Sequence, residues 1–438
     1  MTIPSLSLEQ APPISVPFRF FLSAPIFLLL AALALLAAGP DALLSRWTPE
    51  MLGITHLLTL GYMGMIMCGA MLQLLPVLAG TPVPNPRGVA WAIHLPLVAG
   101  TALLCIGLYA SAMKLITLAV PLLAFAFAVF LATSIYSLTV KSKAHNVTTR
   151  AMLMAHIALV FTIVLGLLLA AAITGLLDLP MLELAALHVG WGLLGWTALL
   201  VMGVAYQVVP MFQLTPPYPK TLIRWLAGTL FAILALWSCH LLLPQPASSI
   251  LAFVSEFGLA ASISVFSAIT LQMQYKRRRK VPDITLDFWR IGLICLLVAS
   301  LLWLAGLVSS TVAESTFYAL ALGILFIAGF ALSVIHGMLY KIVSFLVWFH
   351  LQGKLPIGKA PNMKDVVPDR VARRHWYAHI ATLPTLLASA LWPVLSYVAG
   401  AALLLSAGVL LANLYRAIGI YQRAMAKIAQ QSSEPTSP

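Results

Sequence analysis

Histidines and a glutamate inside long apolar stretches are the residues of this chain that could carry chemistry. His188 opens a stretch running to Pro219 that is apolar enough to cross a bilayer and is rich in glycine. His56 stands at the beginning of a similar stretch. A neutral imidazole can ligate a metal, and an intramembrane carboxylate such as Glu256 is a candidate proton relay. Each lone histidine could equally be a hydrogen-bonded residue of helix packing.

The elements that must position these residues repeat at a fixed interval. Three nine-residue segments are related by two identical steps of 134 residues. They are GAMLQLLPV at Gly69, GVAYQVVPM at Gly203 and GMLYKIVSF at Gly337, and Gly61, Gly195 and Gly329 follow the same step. A fixed long period indicates a repeated architecture. Because each period holds four apolar spans, an even number, the three repeats are predicted to run parallel to one another.

Hydropathy predicts the fold class. The chain has 438 residues, of which 61% are hydrophobic and 8% are charged. Apolar runs longer than about 18 residues, each long enough to span a bilayer, recur along it. We predict an all-α polytopic membrane protein, with twelve spans in three parallel four-helix repeats related by pseudo-threefold symmetry. The predicted spans are 18–40, 52–79, 88–110, 115–140, 148–176, 181–213, 221–243, 247–274, 286–311, 315–349, 375–395 and 397–424.

These spans divide the chain into one membrane domain and two short ends. The membrane domain is predicted over 18–425, with repeats at about 18–140, 148–274 and 286–424. A cytoplasmic N-terminal segment (1–17) precedes it, and a disordered cytoplasmic tail (426–438) follows it.

The distribution of charge predicts the orientation. The net charge is +13, and most lysines and arginines fall in one set of loops and termini, whereas the opposite loops hold only Arg46 and Lys114. Since cytoplasmic loops carry the positive excess, both termini are predicted to be cytoplasmic in a bacterial-type inner membrane. The same distribution makes the lipid bilayer the partner and argues against a nucleic-acid partner. The four cysteines stand singly, so neither a disulfide framework nor a thiolate metal site is indicated.

The stretch beginning at His188 resembles a motif of subunit I of the heme-copper oxidases, in the cbb3-type and nitric-oxide-reductase branch. That motif reads H-x-H-x-G-x-L-G-W, followed by G-x-x-Y-x-x-x-P. This chain reads HVGWGLLGW from His188 and GVAYQVVP from Gly203, so the first histidine is kept and Gly190 replaces the second. The stretch at His56 keeps the second histidine and has Ile54 at the first position. A histidine followed by a glycine-spaced helix is also similar to the NnrS family of heme-containing membrane proteins linked to the nitric oxide response.

The chain departs from the oxidase pattern at the binuclear centre. Leu322 and Ile324 occupy the positions of the heme ligands in the tenth span, and the seventh span has no His-His pair for copper. The resemblance therefore implies no copper centre in this chain, and no reduction of oxygen by the mechanism of that family.

The resemblance also implies where a heme would bind. In the oxidase fold the six-coordinate heme lies between two inner helices, one giving the first-position histidine and the other the second. A rotation by one third of the fold makes His56 and His188 the pair of a bis-histidine heme b, between the second and sixth spans. The apolar wall around them suits the macrocycle. Arg46 and Lys114 are candidate partners for the heme propionates.

Other polar residues inside the spans give further hypotheses. His336, His94 and His379 fall in the cytoplasmic half and form a candidate second heme or metal site, although polar packing between helices is the default. His375 borders a basic loop and is predicted to lie at the membrane interface. Glu256 is the only carboxylate well inside a span and is the candidate proton relay.

The leading hypothesis is a heme-b-binding inner-membrane protein for electron transfer, or for a response to nitric oxide or another diatomic gas. Its partner would be a redox protein or a respiratory complex. Two alternatives remain open. One is a heme-free permease in which Glu256 and the inner histidines line the path. The other is a non-catalytic assembly partner of a respiratory complex.

Overall fold

The computed structural model describes residues 10–80, 83–141, 146–278, 280–355 and 360–433, and every regular element among them is helical. Twelve long helices follow the chain in three groups of four. The first group is α1 Ser15–Ala38, α2 Pro49–Val77, α3 Pro86–Tyr109 and α4 Met113–Tyr136. The second is α5 Val147–Ile173, α6 Met181–Gln213, α7 Lys220–Ser238 and α8 Ala247–Tyr275. The third is α9 Ile284–Val308, α10 Thr316–Gln352, α11 Asp369–Leu391 and α12 Ser396–Ser433.

Eleven of these helices are long and apolar enough to cross a membrane, which confirms the predicted polytopic fold class. The exception within the described chain is α11, whose first turns carry Asp369, Arg370, Arg373 and Arg374. It nevertheless packs against α10 and α12, in the place predicted for a span. The last helix continues to Ser433, into the segment predicted to be a disordered tail.

The second helix of each group forms the interior of the molecule. In α2, α6 and α10, 72% of the residues in the most apolar 18-residue window are buried, whereas the other candidate spans reach 17–50%. The groups are joined side by side, because α4 packs on α5, α8 on α9 and α12 on α1. The chain therefore closes into a ring of three groups with α2, α6 and α10 inside, as the 134-residue period predicted.

The repeated glycines are the points where the first helix of each group approaches the inner helix. A β-carbon added at any of these glycines would fall within 2.9 Å of that neighbouring helix. The pairs are Gly61 with Phe27, Gly195 with Ala158, Gly329 with Cys295, Gly69 with Phe20, Gly203 with Ala151 and Gly337 with Phe288. Small residues let membrane helices pack closely. The 134-residue period of the glycines therefore marks the same helix contact in each of the three groups.

Each inner helix also contains one stretch of π-helix. These stretches are Leu57–Gly64, Trp191–Ala198 and Leu325–Leu332, again separated by the 134-residue step. Such widened turns are frequent at functional sites. His56 directly precedes the first stretch, and His188 lies three residues before the second, so both predicted ligands stand where an inner helix changes its winding.

Candidate functional site

His56 and His188 are each fixed by a hydrogen bond to a backbone carbonyl. The Nδ1 atom of His56 lies 2.8 Å from the carbonyl oxygen of Leu52, one turn earlier in α2. The Nδ1 atom of His188 lies 3.0 Å from the carbonyl oxygen of Thr162 in α5. A carbonyl only accepts, so both Nδ1 atoms carry the proton and donate it. In each ring the Nε2 lone pair is then free, and no hydrogen-bond partner contacts it among the described residues.

The two imidazoles lie side by side between α2 and α6. Their ring centres are 6.3 Å apart and their planes differ by 23°. A metal–imidazole bond of about 2.0 Å, with about 1.1 Å from nitrogen to ring centre, puts each ring centre about 3.1 Å from a shared metal. Two imidazoles on opposite sides of one iron therefore have centres about 6.2 Å apart. The pair predicted from the sequence is thus brought together at a separation that fits a bis-histidine heme.

A glycine of the neighbouring helix makes room for the His188 ring. A β-carbon at Gly166 of α5 would lie 3.1 Å from Cε1 of His188. That contact is closer than ordinary packing, so the ring lies almost on the backbone of α5. Thr162, which accepts the Nδ1 hydrogen bond, is one turn earlier on the same helix. One face of α5 therefore contacts the His188 imidazole twice, through a hydrogen bond at Thr162 and a close approach at Gly166.

Among the described residues, neither Arg46 nor Lys114 contacts His56 or His188. Arg46 lies in the connection before α2, with its guanidinium 4.5 Å from the ring centre of Trp47. Partial burial lowers the pKa of Arg46, and electrostatic interaction with Tyr318 opposes the shift. Lys114 is exposed in the first turn of α4. Their assignment to heme propionates stays a prediction.

Glu256 is held by two tryptophans. Its Oε1 accepts from the indole N–H of Trp237 and its Oε2 from that of Trp303, both at 3.2 Å. The carboxyl group borders an open cleft of about 300 Å³, which Glu183 and His240 also line. The sequence showed no acid or histidine near Glu256 along the chain, but the fold supplies both. Proton relay through Glu256 stays a prediction.

The candidate second site is assembled differently from the prediction. His336 and His379 are brought together, with ring centres 4.7 Å apart, but His94 lies elsewhere and shares a 2.9 Å hydrogen bond with Ser23. The third histidine of the cluster is His375, whose ring centre is 4.6 Å from that of His336. His375 is fully buried inside the protein, and its depth at the membrane interface stays a prediction. The available signal was the spacing of His375 and His379, which puts both on one face of a helix.

Comparison with known proteins supports the fold and no closer relationship. No family model matches the chain, and no curated protein sequence matches it. Among solved structures, the chain is similar to a heme-copper terminal oxidase, determined as a dimer by cryo-electron microscopy. The TM-score is 0.61 at 13% identity, over 98% of this chain and 86% of that chain. At this identity the likeness confirms the heme-copper-oxidase-like fold, while the cbb3-type and NnrS resemblances stay predictions.

Proposed function

We propose that this chain binds a b-type heme between α2 and α6, with His56 and His188 as axial ligands, and transfers electrons within the membrane. The observation that carries the proposal is the nearly parallel pair of imidazoles, with ring centres 6.3 Å apart. The similarity to a heme-copper terminal oxidase supports the proposal through the fold. We place the chain in a bacterial-type inner membrane with both termini in the cytoplasm, and a redox protein or respiratory complex as its partner.

Hydrogen bonds within the chain set the protonation state of both histidines without the heme. The carbonyls of Leu52 and Thr162 hold the protons on Nδ1, which leaves each Nε2 as the ligand atom. Such hydrogen bonds fix the orientation of a ligand imidazole and increase its basicity. When bound, the heme supplies one-electron redox chemistry at a potential set by these ligands and by burial.

Two axial histidines favour electron transfer over gas chemistry. If both imidazoles held the heme, the pair would leave no position at which oxygen or nitric oxide could bind. A response to nitric oxide would need one histidine to leave, and the Nδ1 hydrogen bond of each ring opposes that movement. Electron transfer is therefore the first candidate function, and gas sensing by the same heme is the second. The heme-free permease and the assembly partner remain the alternatives from another class.

The test is the visible spectrum of the full-length protein, purified in detergent from heme-replete cells, in oxidised and reduced states. We expect a low-spin b-type spectrum with sharp α and β bands on reduction. His56→Ala and His188→Ala should each abolish that spectrum. His94→Ala is the matched control, because this histidine also lies within the bundle and makes one hydrogen bond, to Ser23.

Two results would contradict the proposal. The first is purification of the wild-type protein without heme from heme-replete cells. The second is an unchanged low-spin spectrum in both His56→Ala and His188→Ala, which would assign the ligands elsewhere.

A further inference from the structure

We propose that an anionic phospholipid binds between α5 and α7 at their predicted cytoplasmic ends, with its phosphate on Arg150 and Arg224. Arg150 lies in the first turn of α5, and Arg224 lies in the second turn of α7. Both helices begin at this end, and they contact each other. His188 lies near the opposite end of the same group of helices, so the lipid site is separate from the heme pair.

The first observation is positive charge without a counter-charge. Arg150, Lys220 and Arg224 are exposed at this end of the second group of helices. The acidic residues between 147 and 275 all lie toward the opposite end of the group, and they are Asp178, Glu183 and Glu256. The ion pairs among the described residues use other cations. The three cations are therefore available to an anion at the membrane surface.

The second observation is that the two arginines are joined to each other and to an aromatic ring. The Nη2 atom of Arg150 donates a hydrogen bond to the backbone carbonyl of Arg224. The guanidinium of Arg224 lies 5.3 Å from the ring centre of Trp225, which is 60% exposed. Phosphate oxygens match the planar set of N–H donors that a guanidinium presents. An exposed tryptophan beside them is typical of the headgroup level of a membrane.

The start of α7 adds further donors. Pro219 precedes this helix, and no side chain of the described residues caps it. Its first turn also holds no acidic residue. The N–H groups of a first turn point out of the helix and carry partial positive charge. A phosphate at this end can therefore accept hydrogen bonds from them.

The third observation is a buried hydroxyl group without a partner. Tyr206 of α6 is 8% exposed, and its Oη has no hydrogen-bond partner among the described residues. Tyr206 interacts electrostatically with Arg150, and it lies one turn after Gly203, which packs against α5. At the equivalent place of α10, the Oη of Tyr340 accepts a 2.9 Å hydrogen bond from Asn413. Since buried hydroxyls are almost always paired, the Oη of Tyr206 indicates a ligand beside Arg150.

An apolar stripe continues from the arginines into the membrane. Ile157, Phe161 and Val164 follow Arg150 by 7, 11 and 14 residues, so they share its face of α5. Their exposed fractions are 37%, 46% and 49%. An acyl chain attached to the phosphate would cover this stripe. The continuity of cationic and apolar surface therefore favours a lipid over a free phosphate ion.

The second group also has space between its helices that the other groups lack. In each group a tryptophan stands near the start of the third helix, and the residue three positions later is His94 in α3, Gly228 in α7 and His379 in α11. Both histidines hydrogen-bond to a serine of a neighbouring helix. A β-carbon at Gly228 would meet only Cε of Met154 of α5, at 3.9 Å. This space lies one turn below Arg224, where the lipid enters the membrane.

The test is native mass spectrometry of the purified full-length protein, titrated with phosphatidylglycerol and separately with zwitterionic phosphatidylcholine. We expect phosphatidylglycerol to bind about tenfold more tightly, and Arg150→Gln/Arg224→Gln to lose about tenfold or more of that affinity. Arg416→Gln/Arg423→Gln is the matched control. It removes the same charge from two exposed arginines of α12 on the same predicted side, and it should keep the wild-type affinity.

Tyr206→Phe tests the site without removing charge. It should lower the affinity for phosphatidylglycerol about tenfold. It should not lower the thermal stability of the delipidated protein, because the Oη has no partner within the described chain. This variant keeps the proposal testable if the double arginine variant misfolds, which size-exclusion profiles would reveal.

Four results would overturn the proposal. They are wild-type affinity in Arg150→Gln/Arg224→Gln, an equal loss in Arg416→Gln/Arg423→Gln, equal affinity for the two lipids, and equally tight binding of inorganic phosphate.

Discussion

Gly195→Ala tests whether the repeated glycines set the distance between the inner and outer helices. The added β-carbon would lie 2.7 Å from the β-carbon of Ala158. Carbon atoms in contact prefer about 3.5–4.0 Å, so α5 and α6 would have to separate by about 1 Å. Overpacking of this kind costs about 1–3 kcal/mol. The greater helix propensity of alanine offsets up to about 1 kcal/mol of this cost, so the net loss of stability should lie between about 0 and 3 kcal/mol.

A double-mutant cycle isolates the steric contribution. Ala158→Gly removes the closest atom that the new methyl group would strike, so Gly195→Ala should cost less in that background, where contacts at 3.1 Å to Trp191 and 3.2 Å to Leu234 remain. The coupling free energy between the two sites should be about 1–3 kcal/mol. The assay is the unfolding of the four purified proteins in one detergent, by denaturant or heat.

Gly323→Ala is the control, because Gly323 is also in an inner helix but a β-carbon there meets no atom within 4 Å. It should stabilise the protein by up to about 1 kcal/mol. Strict additivity of Gly195→Ala and Ala158→Gly would refute the reasoning, since two substitutions that do not touch add independently.

Two further substitutions test how the polar side chains are positioned. A heme bound as proposed should stay bound in Gly166→Ala but change its reduction potential, because the new methyl group would lie 3.1 Å from Cε1 of His188. A redox titration measures this potential, and an unchanged value would contradict the close contact. Trp303→Phe should cost about 1–3 kcal/mol of stability by leaving Oε2 of Glu256 without its indole donor. The cost should shrink in a Glu256→Leu background, and equal losses in both backgrounds would show that the hydrogen bond contributes nothing.

The sequence predicted the parts of this fold that depend on one-dimensional patterns. Hydropathy located the sixth span at 181–213, where the structure has Met181–Gln213. The 134-residue step identified the three inner helices, because glycines needed for close packing must recur wherever the same helix contact recurs. The pairing of His56 with His188 came from a family resemblance combined with that step, and the structure brings the two rings together.

What the sequence did not predict depends on which face of a helix turns inward. His375 stands beside Arg374 in the sequence, which predicts a position next to the basic loop. In the helix, however, Arg374 is exposed while His375 and His379 share the buried face. The partners of Glu256 could not be predicted from the sequence either. Trp237 and Trp303 lie 19 and 47 residues from it along the chain and contact it only because the helices pack together. Neither contact leaves a periodic signal in the sequence.

An iron bound between His56 and His188, as proposed, is tested most directly by the electron paramagnetic resonance spectrum of the oxidised, purified protein. Imidazole planes that differ by 23° are close to parallel. A bis-histidine ferric heme with nearly parallel ligand planes gives a rhombic low-spin signal, and we predict that signal in the wild type and its loss in His188→Ala. A high-spin ferric signal, the strongly axial low-spin signal of perpendicular planes, or a protein without heme iron would contradict the account.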